Sequence, residues 1–296
     1  MHGFTTNCKT DMQNWLLLGL IGYLFYAIST TIDKYILKHK FGFVRMEAFK
    51  MFFDGMVLLI IGIIFFDLSL NKELLYWTIP LGAVNAGAGL FYYKALQQRD
   101  SEEITPAHRS GSILLVFLAS ILFLSETIHP ANYLGLILLL AGIYVIRSKD
   151  GFHFPPIDKV FVLVMLVVFF DVIYALTAKQ ALATIQPINL AILMYFMTAL
   201  TVIIYDTLNK KHRLNHFYHF RKNIKLTSFS ALFAATGTLL IYTALTYGNA
   251  SQVFPLAAAE PAVLFIFATI FLKEQFSWHR LLGTLFVLAG IIFVAI

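Results

Sequence analysis

The chain has 296 residues, 59% of them apolar and 16% aromatic, with only 13% charged and a mean hydropathy of +0.77. A soluble domain carries about 25% charged residues, so this composition excludes a soluble fold and a disordered chain, and reads as an integral membrane protein. The net charge of +6 and the pI near 9.2 would suggest nucleic acid in a soluble protein; here they mark loops retained in the cytoplasm, and no nucleic-acid partner is expected.

A spanning helix needs roughly 20 mostly apolar residues to cross a hydrocarbon core about 30 Å thick. Ten stretches qualify: 14–35, 46–66, 76–97, 106–124, 131–147, 159–182, 187–208, 226–247, 253–272 and 277–296. They are too long and too uniformly apolar for transmembrane strands. Cys8, the single cysteine, precedes them and excludes an intrachain disulfide. The first span ends in Asp33-Lys34 without a small-residue cleavage site, so it does not read as a removed signal peptide. Prolines punctuate the rest, with Pro80 and Pro106 expected in first turns, Pro130, Pro155, Pro156 and Pro187 in linkers, and Pro255 at the start of the ninth span.

The longest connection, 209–225, places His212, His216 and His219 among basic and aromatic residues. Acidic and thiol ligands are missing beside them, so it reads as a linker touching anionic lipid headgroups rather than a metal or RNA site. No metal and no cofactor are expected. Loops after the odd-numbered spans hold most of the lysines and arginines, among them Lys38, Lys40, Arg45, Arg147, Lys210, Lys211 and Arg213. The opposite loops and both termini hold only Lys9 and Lys72. The positive-inside rule therefore places both termini outside, in what is expected to be a prokaryotic cell membrane.

The sequence also repeats. FYYKALQQRDSEEITP (91–106) aligns with LIYTALTYGNASQVFP (240–255), matching Tyr93 to Tyr242, Ala95-Leu96 to Ala244-Leu245 and Pro106 to Pro255. Further on, Glu126 matches Glu274, Gly135 matches Gly283, and Ala141-Gly142-Ile143 matches Ala289-Gly290-Ile291, while Lys34 and Leu37 match Lys179 and Leu182. The halves, 1–150 and 151–296, hold five spans each. An odd number turns the second copy over, and inverted halves can exchange conformations to open a central site to either side in turn. The expected fold is an all-α polytopic membrane protein, ten transmembrane helices in two inverted five-helix repeats around a central cavity.

In each copy an aromatic-x-Ala-Leu run closes the third helix, a short polar linker follows, a Glu comes after the fourth helix, and Gly-x6-Gly marks the fifth. With Glu260-Pro261, Lys273-Glu274, Gly283 and Ala289-Gly290 in the second copy, this pattern resembles the EamA-type transporters of the drug/metabolite transporter superfamily. The resemblance covers nearly the whole chain. It implies export or exchange of a small metabolite through a central cavity without ATP, and favours a fold or gating role for Glu260. Many members keep both termini cytoplasmic, a departure from the charge asymmetry here.

Ionisable residues at helix centres cost about 2.5–3.5 kcal/mol on insertion scales, so each needs a reason. Asp171, mid-span in VVFFDVIYALTAK, reads as a buried partner for a lysine or arginine, a substrate counter-ion, or a carboxylate that takes up a coupling proton. His108-Arg109 opens the fourth span beside Ser110, Gly111 and Ser112; Arg109 either snorkels to headgroups or holds a substrate carboxylate or phosphate. Since related sequences often have apolar residues there, the resemblance makes Arg109 a candidate determinant of substrate class. Tyr26, Asn85, Tyr174 and Tyr242 are candidates to line the cavity with Arg109 and Asp171. Lys34, Lys94, His108, Lys179 and Glu260 are candidate gating or structural polar groups, with snorkelling the plainer account of Lys94. The Gly135/Gly142 and Gly283/Gly290 faces bring helices together within a chain or in a homodimer.

The expected function is secondary transport of a small organic metabolite, with an amino acid or related solute favoured by the mixed charges. The sequence lacks G-x4-G-K-[ST], H-E-x-x-H and G-x-S-x-G, which argues against nucleotide-driven transport and an intramembrane enzyme. A channel-like facilitator is the remaining alternative.

Overall fold

The computed structural model describes residues 8–38, 42–98, 101–147, 158–209, 217–263 and 278–295. In lipid an apolar segment must satisfy its own backbone groups, and all regular structure among the described residues is helical. The helices are α1 (Cys8–Lys38), α2 (Phe43–Phe65), α3 (Lys72–Leu96), α4 (Ser101–Leu124), α5 (Pro130–Arg147), α6 (Lys159–Ala181), α7 (Pro187–Leu208), α8 (Phe217–Tyr247), the short α9 (Ala250–Val253) and α10 (Trp278–Val294). Among the described residues, 7 helices are long and apolar enough to cross a membrane, while α5 and α10 are shorter apolar helices. Ile63, Phe65, Leu122, Phe123, Leu208 and Ile292 are exposed on the outside of the bundle. This is the surface of an integral membrane protein, whose outward side chains meet lipid tails instead of water.

Helix ends differ from expectation for local reasons. The Asn71 side chain accepts the Leu74 N–H at 2.7 Å and starts α3 before the expected residue 76. Pro80 therefore lies inside the helix and removes one of its backbone donors. α4 likewise begins at Ser101, which puts Pro106 within it. Asp158 caps α6 by accepting the N–H groups of Val160 and Phe161 at 3.0 and 2.9 Å. α8 extends back to Phe217, so the basic connection is shorter than expected; His212 and His216 lie outside the described residues.

The expected ninth span, 253–272, is described only as far as residue 263. That part is not the continuous α-helix expected: α9 passes into a 3-10 turn over Phe254–Ala258, and residues 259–263 are again α-helical. Pro255, at the start of the turn, lacks the N–H that an α-helical run through it would need.

The packing follows the repeat. α1 lies along α8, and the corresponding pair from the exchanged halves, α6 and α3, packs in the same way; α2 packs on α7 and α5 on α10. Equivalent helices run antiparallel, as an inversion requires: Asn132 at the start of α5 donates to the Val294 carbonyl at the end of α10, 2.9 Å away. A Cβ added at Gly142 would meet the Gly283 carbonyl oxygen at 2.7 Å, and one added at Gly135 would meet that of Gly290 at 2.9 Å. The two glycine faces are thus engaged with each other inside the chain. Gly142→Ala is expected to cost about 1–3 kcal/mol, measured by thermal unfolding in detergent. Gly42→Ala, with nothing within 4 Å of its new methyl group, leaves stability unchanged, and equal stability of the two variants would refute the close crossing.

Candidate functional site

A cavity of about 200 Å³ lies inside the bundle, walled by α1, α2, α3, α4, α6, α8 and the 3-10 turn. Tyr26, Asn85, Arg109, Asp171, Tyr174 and Tyr242 all border it, as does His108. The antiparallel halves bring these residues together from distant parts of the sequence. The Tyr174 and Tyr242 hydroxyls meet at 2.6 Å. Asn85 donates to the Thr198 hydroxyl at 3.2 Å and to the Met51 sulfur at 3.6 Å.

At one end of the cavity the two expected charges are already paired. Arg109 donates from Nε and Nη2 to the two oxygens of Glu260, at 3.0 and 2.8 Å, with the carboxylate 1% exposed. The pair joins α4 to the second half and takes one edge of the guanidinium. Asp171 accepts from Ser112 at 2.7 Å and lies 2.5 Å from His108 Nε2. His108 and Arg109 adjoin in sequence, but a helix turns about 100° per residue, so they reach different carboxylates. Tyr92 packs beside the imidazole, ring centres 5.3 Å apart.

The remaining candidates stand elsewhere. The Lys94 side chain is exposed and does not border the cavity. Lys179 donates to the carbonyls of Leu245 and Gly248 at 2.6 and 2.7 Å, which closes the end of α8. Opposite it, Ser125 takes a left-handed φ of 52° as α4 ends, and Glu126 accepts the N–H groups of Ala250 and Ser251 at 2.7 and 3.0 Å. Lys179 and Glu126 therefore satisfy backbone groups at the α8–α9 corner. The Lys34 side chain lies outside the described residues.

A second polar cluster, at the α1–α2 side of the cavity, has no counterpart in the sequence-based expectations. Lys50 Nζ donates to both oxygens of Asp54 at 3.1 Å and stands 3.8 Å from Asp33. Asp33 accepts the Tyr93 hydroxyl at 3.0 Å and that of Ser230 at 2.5 Å. Glu47 completes the group, with Oε2 buried and without a hydrogen-bond partner among the described residues. The signal was present in the sequence: Glu47, Lys50 and Asp54 follow an i, i+3, i+7 spacing, which places all three on one helix face. Asp33, Glu47, Asp54, Asp171 and Glu260 together outnumber the described cations Lys50 and Arg109, even with His108 protonated. The site offers carboxylates, hydroxyls and tyrosine rings, groups suited to hold a small polar solute that carries a positive charge.

The EamA-like transporter family model matches the chain twice, over residues 13–148 and 159–296. An uncharacterized protein of Methanocaldococcus jannaschii is 37% identical over 67 residues, 23% of this chain and 49% of that protein, so the match spans about half the relative's length. A solved crystal structure superposes with a TM-score of 0.73 at 15% identity, covering 95% of this chain and 96% of that one; at this identity the likeness concerns the fold. Two matches to one family model, one on each antiparallel half, leave almost none of the chain unaccounted for. The chain belongs to the EamA-like transporter family.

Proposed function

We propose that the protein is a secondary transporter, an exporter or exchanger, that moves a small organic metabolite across the membrane by alternating access. The observation that carries this reading is the cavity: about 200 Å³ of space with charged and hydroxyl-bearing side chains set into its wall, inside an integral membrane protein, between two halves of inverted sense. Two similar halves can trade conformations and carry the opening from one face to the other. The volume suits a single small solute, and the carboxylate-rich lining favours an amino acid or related amine. Lysine and arginine asymmetry orients both termini outside a prokaryotic cell membrane.

Counterflow in proteoliposomes tests the proposal, with a panel of amino acids, organic anions and amines. Saturable exchange of at least one amine-bearing solute is expected. Asp171→Asn lowers its rate by about tenfold, the worth of one weakened charge-assisted hydrogen bond. Flux that rises without saturation would favour a channel, and turnover of the solute in detergent would favour an enzyme; either result sinks the carrier.

A further inference from the structure

Glu47 sits in the second turn of α2, on the cavity wall, with its side chain 1% exposed and Oε2 unpartnered among the described residues. α3 makes room for it, since any side chain at Gly89 would collide with the Glu47 carboxyl. Lys50, on the same helix, is already engaged by Asp54 and Asp33. Other described groups facing the cluster include Tyr26 of α1, Tyr92 and Tyr93 of α3 and Tyr195 of α7, with the hydroxyls of Ser230 and Thr238 from α8. Among the described side chains, one cation thus balances two carboxylates before Glu47 is counted. An ionised Glu47 adds a further negative charge, which a buried site retains only against a bound cation.

We infer that Glu47 is an exchange site for a proton and for the ammonium group of an amine-bearing solute; the inference rests on the transporter reading above. In the empty cavity Glu47 holds the proton. An arriving ammonium donates its N–H to the carboxylate, the carboxyl O–H bond breaks, and the proton passes to water. No other covalent bond changes, and the charge inside the cavity is the same before and after. One amine enters for each proton released, which couples solute movement to the proton gradient. The solute body lies against Tyr26, Tyr174 and Tyr242, whose ring faces also favour a cation. A solute bearing only a carboxylate gains nothing at Glu47, and at the far end the Nε–Nη2 edge of Arg109 is taken by Glu260.

Two measurements on the full chain in detergent test this. Infrared difference spectra between mildly acidic and alkaline buffer are expected to contain a protonated-carboxyl carbonyl band that Glu47→Gln removes and Glu47→Asp shifts. A Glu47→Gln spectrum that superimposes on the wild type overturns the assignment. In weakly buffered solution, tyramine is expected to release about one proton per molecule bound to the wild type and none from Glu47→Gln, whereas 3-(4-hydroxyphenyl)propionate releases none from either. No release with tyramine, or equal release by both probes, overturns the ammonium exchange. Glu47→Gln and Glu47→Asp are compared only as monodisperse preparations, and Glu47→Asp keeps the test open should Glu47→Gln fail to fold. Counterflow by the same wild-type preparation tests the transporter reading separately, so intact counterflow with an unchanged infrared band defeats Glu47 alone.

Discussion

Glu260→Ala is expected to destabilise the protein by about 3–5 kcal/mol, because it strands the Arg109 guanidinium in the bundle. The two side chains are 17% and 1% exposed, and both carboxylate oxygens are engaged, so truncation leaves a largely buried guanidinium without its bidentate partner. Thermal unfolding in detergent measures the loss. The double variant Arg109→Met, Glu260→Met is expected to recover most of it, since apolar side chains of similar volume often replace a buried ion pair at little cost. A Glu260→Ala variant as stable as the wild type would show that Arg109 finds its counter-charge elsewhere. Counterflow then separates the two roles considered for Arg109. If the arginine is a clamp, the recovered double variant exchanges the same solutes as the wild type; if it selects substrate, the double variant folds and loses carboxylate-bearing ones.

The elements of this fold were legible where they depend on local composition. Runs of apolar residues in lipid have one way to satisfy their backbone, so the helices fall close to the expected spans. Inversion was legible from the repeat, and the antiparallel crossing of α5 and α10 follows from matched glycines that the sequence displays openly. The departures arise from capping and ring chemistry: Asn71 starts α3 early, and Pro255 tightens the helix after α9 into a 3-10 turn.

Side-chain pairing was less legible. Arg109 and Asp171 stood out as isolated charges in apolar runs, and both border the cavity, but each is held by a residue assigned to gating or structure. Which carboxylate an arginine reaches depends on how helices far apart in sequence are rotated against each other, and no spacing within α4 encodes that. Glu47, Lys50 and Asp54 were missed for the opposite reason. They lie in the first turns of a span otherwise strongly apolar, where a lone lysine reads as an interfacial anchor; only their shared face marks them as one cluster.

Lys50→Met is the stronger test of that cluster. Lys50 is 3% exposed and is the described cation that faces Asp33 and Asp54, whose side chains are 6% and 1% exposed. Removing it leaves the carboxylates facing one another in the bundle, and the expected loss is about 3–5 kcal/mol, the cost of breaking a buried pair. The sign of the pH response distinguishes this cause from simple loss of packing. A stranded carboxylate is relieved when it takes up a proton, so the deficit of Lys50→Met shrinks in acidic buffer and grows in alkaline buffer. A deficit independent of pH would mean that the methionine merely packs badly. Adding Asp54→Asn removes one of the stranded charges while keeping the side chain's shape, and is expected to restore about half of the lost stability. If Asp54→Asn instead adds its own penalty on top of Lys50→Met, the two residues are uncoupled and the cluster does not act as a unit. Asp33 keeps its bonds to Tyr93 and Ser230 in either variant, so the recovery reports on the Lys50–Asp54 pair and not on a general loosening of α1 from α8.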